Sequence, residues 1–287
     1  MRKFYFLLLA LPLLLGVTSC GKKKAAAQAQ STELVVFAAA SMTETMEQIA
    51  DLYKKKAPNV KLTYNFDSSG TLKTQIQEGA DCDLFISAGQ RQMDQLDSAA
   101  SSSVNTEGLD FVLQGTRINF LENKVTLCVP KGNPANIKNF ADLADKLGNT
   151  KIPTPDSPLP TPILLAMGNS DVPVGQYTQR ILKFFKLDEK ALANSGKITY
   201  GSNVKEVTTQ IAASSVSCGV VYCTDAFSAR LDIVDYATVE MCGQVIYPAA
   251  VMKASKNPEA ASAFLEYLKS GEALAVFKGV GFDAAWK

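Results

Sequence analysis

The sequence predicts an α/β protein whose sheets are wound by strand–helix–strand units and whose chain passes between two lobes more than once. Three observations predict it. Short apolar runs of strand type alternate with segments of helical periodicity, the signature of parallel sheets. Strand ends lead directly into helix-start signals, the arrangement in which ligands bind at the carboxyl ends of strands. No clean linker separates two consecutive halves, although 287 residues suffice for one large domain or two medium ones, each with its own core.

The elements follow in order. Leu34-Val35-Val36-Phe37 reads as a strand that ends in Ala38-Ala39-Ala40-Ser41. Ser41-Met42-Thr43-Glu44 has the capping-box pattern, and Met42, Met46, Ile49, Leu52 and Tyr53 recur at helical spacing. Lys54-Lys55-Lys56 suits the negative end of that helix, and Pro58 stops it. Val60 to Phe66 alternates as a strand, Ser68-Ser69-Gly70 turns the chain, and a helix from Thr71 to Glu78 closes at Gly79. Further strands are predicted at Leu84-Phe85-Ile86, from Lys124 to Val129 and from Gly219 to Tyr222. Val172-Pro173-Val174-Gly175 leads into a helix through Leu187, Asn203-Val204-Lys205-Glu206 opens one to about Ser214, and Thr224-Asp225 starts another. Pro153 to Pro162 reads as a surface loop.

The amino end reads differently. Arg2 and Lys3 precede an apolar run from Phe4 to Val17 and then small residues, which predicts a secretory signal over 1–19. The run is shorter than the roughly 20 apolar residues of a spanning helix. Residues 20–32 carry Lys22-Lys23-Lys24 and then Ala and Gln without a bulky apolar side chain, which predicts a flexible tether drawn to an anionic membrane surface. Val17-Thr18-Ser19-Cys20 resembles the lipobox of bacterial lipoproteins, which implies lipidation of Cys20 and an exported protein anchored to a membrane, facing the periplasm or the exterior.

Composition excludes several classes of function. With 29 Lys+Arg against 28 Asp+Glu there is no basic balance to hold nucleic acid. With no histidine, neither a Ser-His-Asp nor a Cys-His arrangement nor a zinc site with imidazole ligands can form. Cys20, Cys82, Cys128, Cys218, Cys223 and Cys242 include no C-x-x-C pair. The five after Cys20 read as small buried apolar residues, with a disulfide left open. Asp81 with Asp83 and Asp188 with Glu189 are carboxylate pairs on which a surface-anchored hydrolase could be argued; the first reads as a solvated strand end and the second as solvated residues just past a helix, and no enzyme is expected.

Four junctions share one chemistry: Ala40-Ser41, Ser68-Ser69-Gly70, Pro173-Val174-Gly175 and Asn203-Val204. Each offers amides at a helix start, where the first turn carries unpaired N–H groups and partial positive charge. Two add serine hydroxyls, and none has Lys or Arg inside its turn, Lys205 following one residue later. Neutral donors suffice for a fully ionised tetrahedral oxyanion in a desolvated pocket. Each junction alone is what an ordinary capped helix needs, and Glu44 supports a capping role for Ser41.

The spacing of the whole set carries more. Val36-Phe37-Ala38-Ala39-Ala40-Ser41, Ser68-Ser69-Gly70-Thr71-Leu72, Asp83-Leu84-Phe85-Ile86-Ser87-Ala88 and Asn123-Lys124-Val125 are followed by Val172-Pro173-Val174-Gly175-Gln176-Tyr177 and Asn203-Val204-Lys205. Gly219-Val220-Val221-Tyr222-Cys223-Thr224-Asp225, Tyr247-Pro248-Ala249 and Gly281-Phe282 complete the series. In order from about Leu34 to the end, these stretches resemble the substrate-binding proteins of ABC-type molybdate importers. The resemblance implies a two-lobed type II periplasmic-binding-protein fold, each lobe a mainly parallel sheet flanked by helices, closing over the ion. It assigns 33–121 and 249–287 to one lobe and 122–248 to the other. It implies oxygen contacts from Ser41 and Ser69 on one lobe, and from the backbone N–H groups of Val174 and Val204 and the hydroxyl of Tyr222 on the other. The ligand is then molybdate or tungstate, with no cofactor and no metal cation held directly. The partner is a membrane permease with its cytoplasmic ATPase, served by a monomer. Sulfate stays open, because neutral donors suit any such dianion. Asp67 departs from the expected chemistry by placing a carboxylate just before the second junction.

Overall fold

A computed structural model describes residues 31–148 and 163–286 of the chain. The expected leader over 1–19, Cys20, the tether up to residue 30 and the loop from Pro153 to Pro162 lie outside the described residues. Eleven strands form among those described: β1 (Thr32–Ala39), β2 (Val60–Asp67), β3 (Leu84–Ile86), β4 (Ile118–Asn123), β5 (Val125–Val129), β6 (Leu165–Gly168), β7 (Ile198–Gly201), β8 (Cys218–Tyr222), β9 (Asp232–Tyr236), β10 (Val245–Val251) and β11 (Asp283–Ala284). They build two sheets, one of order β11-β4-β10-β3-β1-β2 and one of order β7-β6-β8-β5-β9.

The chain changes sheets within one residue. β4 ends the first contribution to the six-stranded sheet at Asn123, and β5 opens in the five-stranded sheet at Val125. It returns between β9 and β10. The boundaries expected at 121/122 and 248/249 therefore need correcting, since they cut through β4 and β10, which both belong wholly to the first sheet. β1 also begins at Thr32, inside the expected tether, because its first residues pair in parallel with Val60 and Lys61.

Both sheets are mixed rather than mainly parallel. β2, β1 and β3 run parallel, as do β7, β6 and β8, whereas β10 is antiparallel to β3 and β4, and β5 is antiparallel to β8 and β9. The antiparallel strands are those on which the chain enters and leaves each sheet, and such strands need no helical crossover. β1 and β3 are buried on both faces. In β1, Leu34, Val36 and Ala38 face one apolar cluster and Phe37 another; in β3, Leu84 and Ile86 oppose Phe85 in the same way. That alternation explains why these strands read as continuous apolar runs.

The helices are α1 (Thr43–Lys56), α2 (Ser69–Gln77), α3 (Gln90–Asp94), α4 (Phe140–Gly148), α5 (Pro173–Phe184), α6 (Glu189–Asn194), α7 (Val204–Ala212), α8 (Cys223–Ser228), α9 (Val239–Cys242), α10 (Pro258–Leu268) and α11 (Gly271–Gly279). Among the described residues no helix is long and apolar enough to cross a membrane. α1 shows how tertiary structure overrides a local signal. A 3-10 turn over Ala40–Met42 precedes it, Met42 stands at its cap, and no side chain caps it. The Ser41 hydroxyl turns instead to Tyr247, so the expected capping box does not form. By contrast Ser68 caps α2 through the Thr71 N–H, and Asn203 caps α7 through the Glu206 N–H.

Of the two carboxylate pairs, Asp81 and Asp188 are exposed as expected, and Asp83 alone departs from the reading as solvated. Asp83 is buried, accepting the Val35 N–H at 2.8 Å and the Ser255 hydroxyl, while exposed Asp81 pairs with Lys256. Asp188 caps α6 through the Ala191 N–H at 3.0 Å. The five described cysteines are buried free thiols.

Candidate functional site

Parallel strands in both sheets end at the same cleft, and the turns that follow them meet there. β1 delivers Ser41, β2 delivers Ser69, β6 leads to Val172 and Pro173, β7 to Val204, and β8 ends on Tyr222. Together with residues 39–40, 67–68 and Ala88, these side chains line one small cavity. Ser41, Ser69, Val204 and Tyr222 are thus brought together as lining residues. Val174 is fully buried and stands one residue behind Pro173, outside the lining.

Local sequence fixes how the donors are presented. Ser68 and Asn203 each serve the third amide of their helix, which leaves the first two of α2 (Ser69, Gly70) and of α7 (Val204, Lys205) without intrahelical partners. Pro173 occupies the first position of α5, where a missing N–H costs nothing, so the orphan amides there begin at Val174. That helix start sits directly on the end of β6. A Cβ on Gly175 would lie 2.2 Å from the Asn169 carbonyl oxygen, so only glycine fits.

The hydroxyls are held from behind. Ser69 Oγ accepts the Ala88 N–H at 2.9 Å, which leaves its own proton uncommitted. Ser41 Oγ lies 2.9 Å from Tyr247 Oη. Tyr222 Oη donates across the cleft to the Ala88 carbonyl at 3.3 Å. Burial, with Tyr247, Tyr177 and Asp225 nearby, pushes the Tyr222 phenol well above its ordinary value, so it remains a proton donor.

No Lys or Arg lines the cavity. Lys205 reaches across to the other lobe, where Glu44 holds it at 2.7 and 2.8 Å. Its Nζ also stands 3.4 Å from Asp225 Oδ1, an ion-pair distance, although neither Asp225 oxygen accepts a well-formed hydrogen bond. Burial pushes the Asp225 carboxyl up to about 7, with Lys205 opposing and Glu44 adding to the rise. Asp67 does line the cavity, but its Oδ1 accepts the Ser68 N–H at 2.7 Å and faces Asn203 Nδ2 at 3.4 Å, so it bonds locally and across the lobes. Among the described residues no group of carboxylates and thiols has the arrangement to hold a metal cation.

The arrangement is a small cavity lined from both lobes by hydroxyls and helix-start residues. A family model described as bacterial extracellular solute-binding protein matches residues 34–283. This chain belongs to that family. It is 30% identical over 258 residues to the molybdate-binding protein ModA of Haemophilus influenzae, covering 89% of this chain and 92% of the relative. It is also 30% identical over 258 residues to ModA of Escherichia coli K12, covering 89% and 91%. The structure of the periplasmic molybdate-binding protein of Azotobacter vinelandii superposes with a TM-score of 0.70 at 22% identity, covering 87% of this chain and 98% of that one, so the two share the two-lobed type II fold.

In and behind the cavity, several residues act in ways that their local sequence does not signal. Ala88 orients two lining hydroxyls, through its N–H to Ser69 and its carbonyl to Tyr222, yet it is an apolar residue with nothing in its type to signal this. Asn123 and Tyr247 were legible as motif positions, but their place behind Ser41 depends on partners more than a hundred residues away.

Proposed function

We propose that this solute-binding protein captures molybdate, and tungstate as its near-isostere, between its lobes and delivers it to the permease of an ABC importer driven by a cytoplasmic ATPase. The observation that carries the reading is a small cavity lined from both lobes by buried hydroxyls and helix-start residues, with no Lys or Arg among its described lining residues and Lys205 held by Glu44. Such preorganised donors suit a small, fully ionised tetrahedral anion, and they act strongly where water is excluded. Relatives that are 30% identical over most of their length and bear the name molybdate-binding protein support the choice of ion.

In this reading Ser41, Ser69 and Tyr222 bind through hydroxyls, and Val174 and Val204 through backbone N–H groups. Tyr222 exchanges its bond to Ala88 for one to the ligand. Oxygens held from both lobes favour the closed form, which the permease then recognises. The protein works as a monomer without a cofactor and without catalysis. A leader over 1–19, lipidation at Cys20 and a tether to residue 30 keep it at the outer face of a membrane.

Calorimetric titration of the soluble protein from residue 31 with molybdate, tungstate, sulfate and phosphate tests the proposal. Stoichiometric binding of molybdate and tungstate with weaker sulfate is expected. A preference for sulfate overturns the choice of ion, and turnover of an ester or glycoside overturns the binding reading.

A further inference from the structure

Behind Ser41 runs a buried chain of side chains whose direction is set at one end. Asn123 Oδ1 lies 2.8 Å from the backbone N–H of Lys124 and 3.1 Å from the Cys223 thiol. A backbone N–H can only donate, so the amide oxygen must face it and Nδ2 must turn the other way. Nδ2 then donates to Thr224 Oγ1 at 3.0 Å and to Tyr247 Oη at 3.1 Å. Ser41 Oγ lies 2.9 Å from Tyr247 Oη, a distance at which either oxygen can donate; with Asn123 Nδ2 already donating to Tyr247, the arrangement that keeps the Ser41 proton free has Tyr247 donating to Ser41. In that arrangement Ser41 accepts from behind, and its own proton is left for the cavity that it lines.

We propose that Asn123 and Tyr247 are positioning residues that lock Ser41 as a hydrogen-bond donor toward the bound anion. The inference rests on the reading of the cavity as an oxyanion site, and it adds a device that the ligand-touching residues do not include. Both residues are buried, Asn123 at 3% exposure and Tyr247 at 0%, so no water competes for the chain. Burial, with Asp225 nearby, also holds the Tyr247 phenol well above its ordinary value, which keeps the proton the relay requires. Without the lock, the Ser41 hydroxyl is free to turn its proton onto Tyr247 and present a lone pair to the anion, where it repels.

A carboxylate at position 123 reverses the chain. In an Asn123→Asp variant the new carboxylate would accept from Tyr247, Tyr247 would accept from Ser41, and the cavity would face oxygen rather than hydrogen. The test is a double-mutant cycle on molybdate affinity, measured by calorimetry on the soluble protein from residue 31. Asn123→Asp is expected to weaken binding roughly 100-fold, and Tyr247→Phe roughly fivefold. In the Tyr247→Phe background the further cost of Asn123→Asp should shrink at least tenfold, because the reversed relay no longer reaches Ser41. Direct repulsion by the new charge acts equally in both backgrounds, so equal costs overturn the proposal.

If Asn123→Asp does not fold, the Ser41/Tyr247 pair decides. Tyr247→Phe should cost nothing further in a Ser41→Ala background, and an undiminished cost overturns the relay. Ser41→Ala also separates the two levels of inference. Unchanged affinity in that variant removes the oxyanion reading itself, whereas weakened affinity with additive cycles removes the relay alone.

Discussion

Replacing Ser69 by Ala removes one hydroxyl and has two separable consequences. Ser69 Oγ accepts the Ala88 N–H at 2.9 Å, and Ala88 is 3% exposed, so truncation leaves a buried amide without an acceptor. That loss should cost about 1–3 kcal/mol of folding free energy, and each kcal/mol lowers Tm by about 2–4 °C in a chain of this size. The same hydroxyl carries the proton assigned to the bound dianion. Losing a hydrogen bond to a charged group costs about 1.5–3 kcal/mol, which corresponds to a fall in affinity of roughly 10- to 150-fold. Thermal melts without ligand report the first effect, and calorimetric titration with molybdate reports the second. A lowered Tm with unchanged affinity would refute the ligand role of Ser69 while leaving its bond to Ala88 intact. Unchanged values of both would refute the geometry as well.

Two further perturbations probe closure and pH dependence. A Cβ on Gly70 would lie 2.3 Å from the carbonyl oxygen of Asp171 on the opposite lobe; Gly70→Ala should therefore hold the lobes apart and weaken molybdate binding on the order of tenfold or more. The melting temperature without ligand should stay near that of the parent, and undiminished affinity would contradict the tight approach. Asp225 has its carboxyl raised by burial from 3.8 to about 7. Between those values the unfolded chain has released the proton that the folded chain keeps, so stability falls as pH rises through that window and levels off above it. The shift sets the full fall at about 4 kcal/mol, and Asp225→Asn should flatten it in urea unfolding measured from pH 4 to pH 8. An equal slope in parent and variant would contradict the assignment.

What the sequence made legible was whatever local pattern controls. The runs of β1 and β3 read as strands because both faces are buried, and the starts of α2 and α7 were marked by Ser68 and Asn203, which do cap them. Ser41 shows where local pattern fails. Its Ser-Met-Thr-Glu context fits a capping box, but Tyr247 claims the hydroxyl, and Glu44 pairs with Lys205 instead of closing the box. Asp83 was misread for the same reason, because its partners Val35 and Ser255 lie far away in sequence. The mixed character of the sheets was hidden too, since the direction of β4, β9 and β10 depends on where the chain leaves and re-enters each lobe. For the cavity, the residue types that donate hydrogen bonds could be read directly, whereas Ala88, Asn123 and Tyr247 act through contacts that only the folded chain creates.

A crystal structure of the soluble protein soaked with molybdate tests the central claim most directly. The ion should lie between the lobes with its oxygens about 2.7–3.1 Å from the hydroxyls of Ser41, Ser69 and Tyr222 and from the amides of Val174 and Val204. Density for the ion elsewhere, or a lysine or arginine side chain coordinating it, would contradict the account.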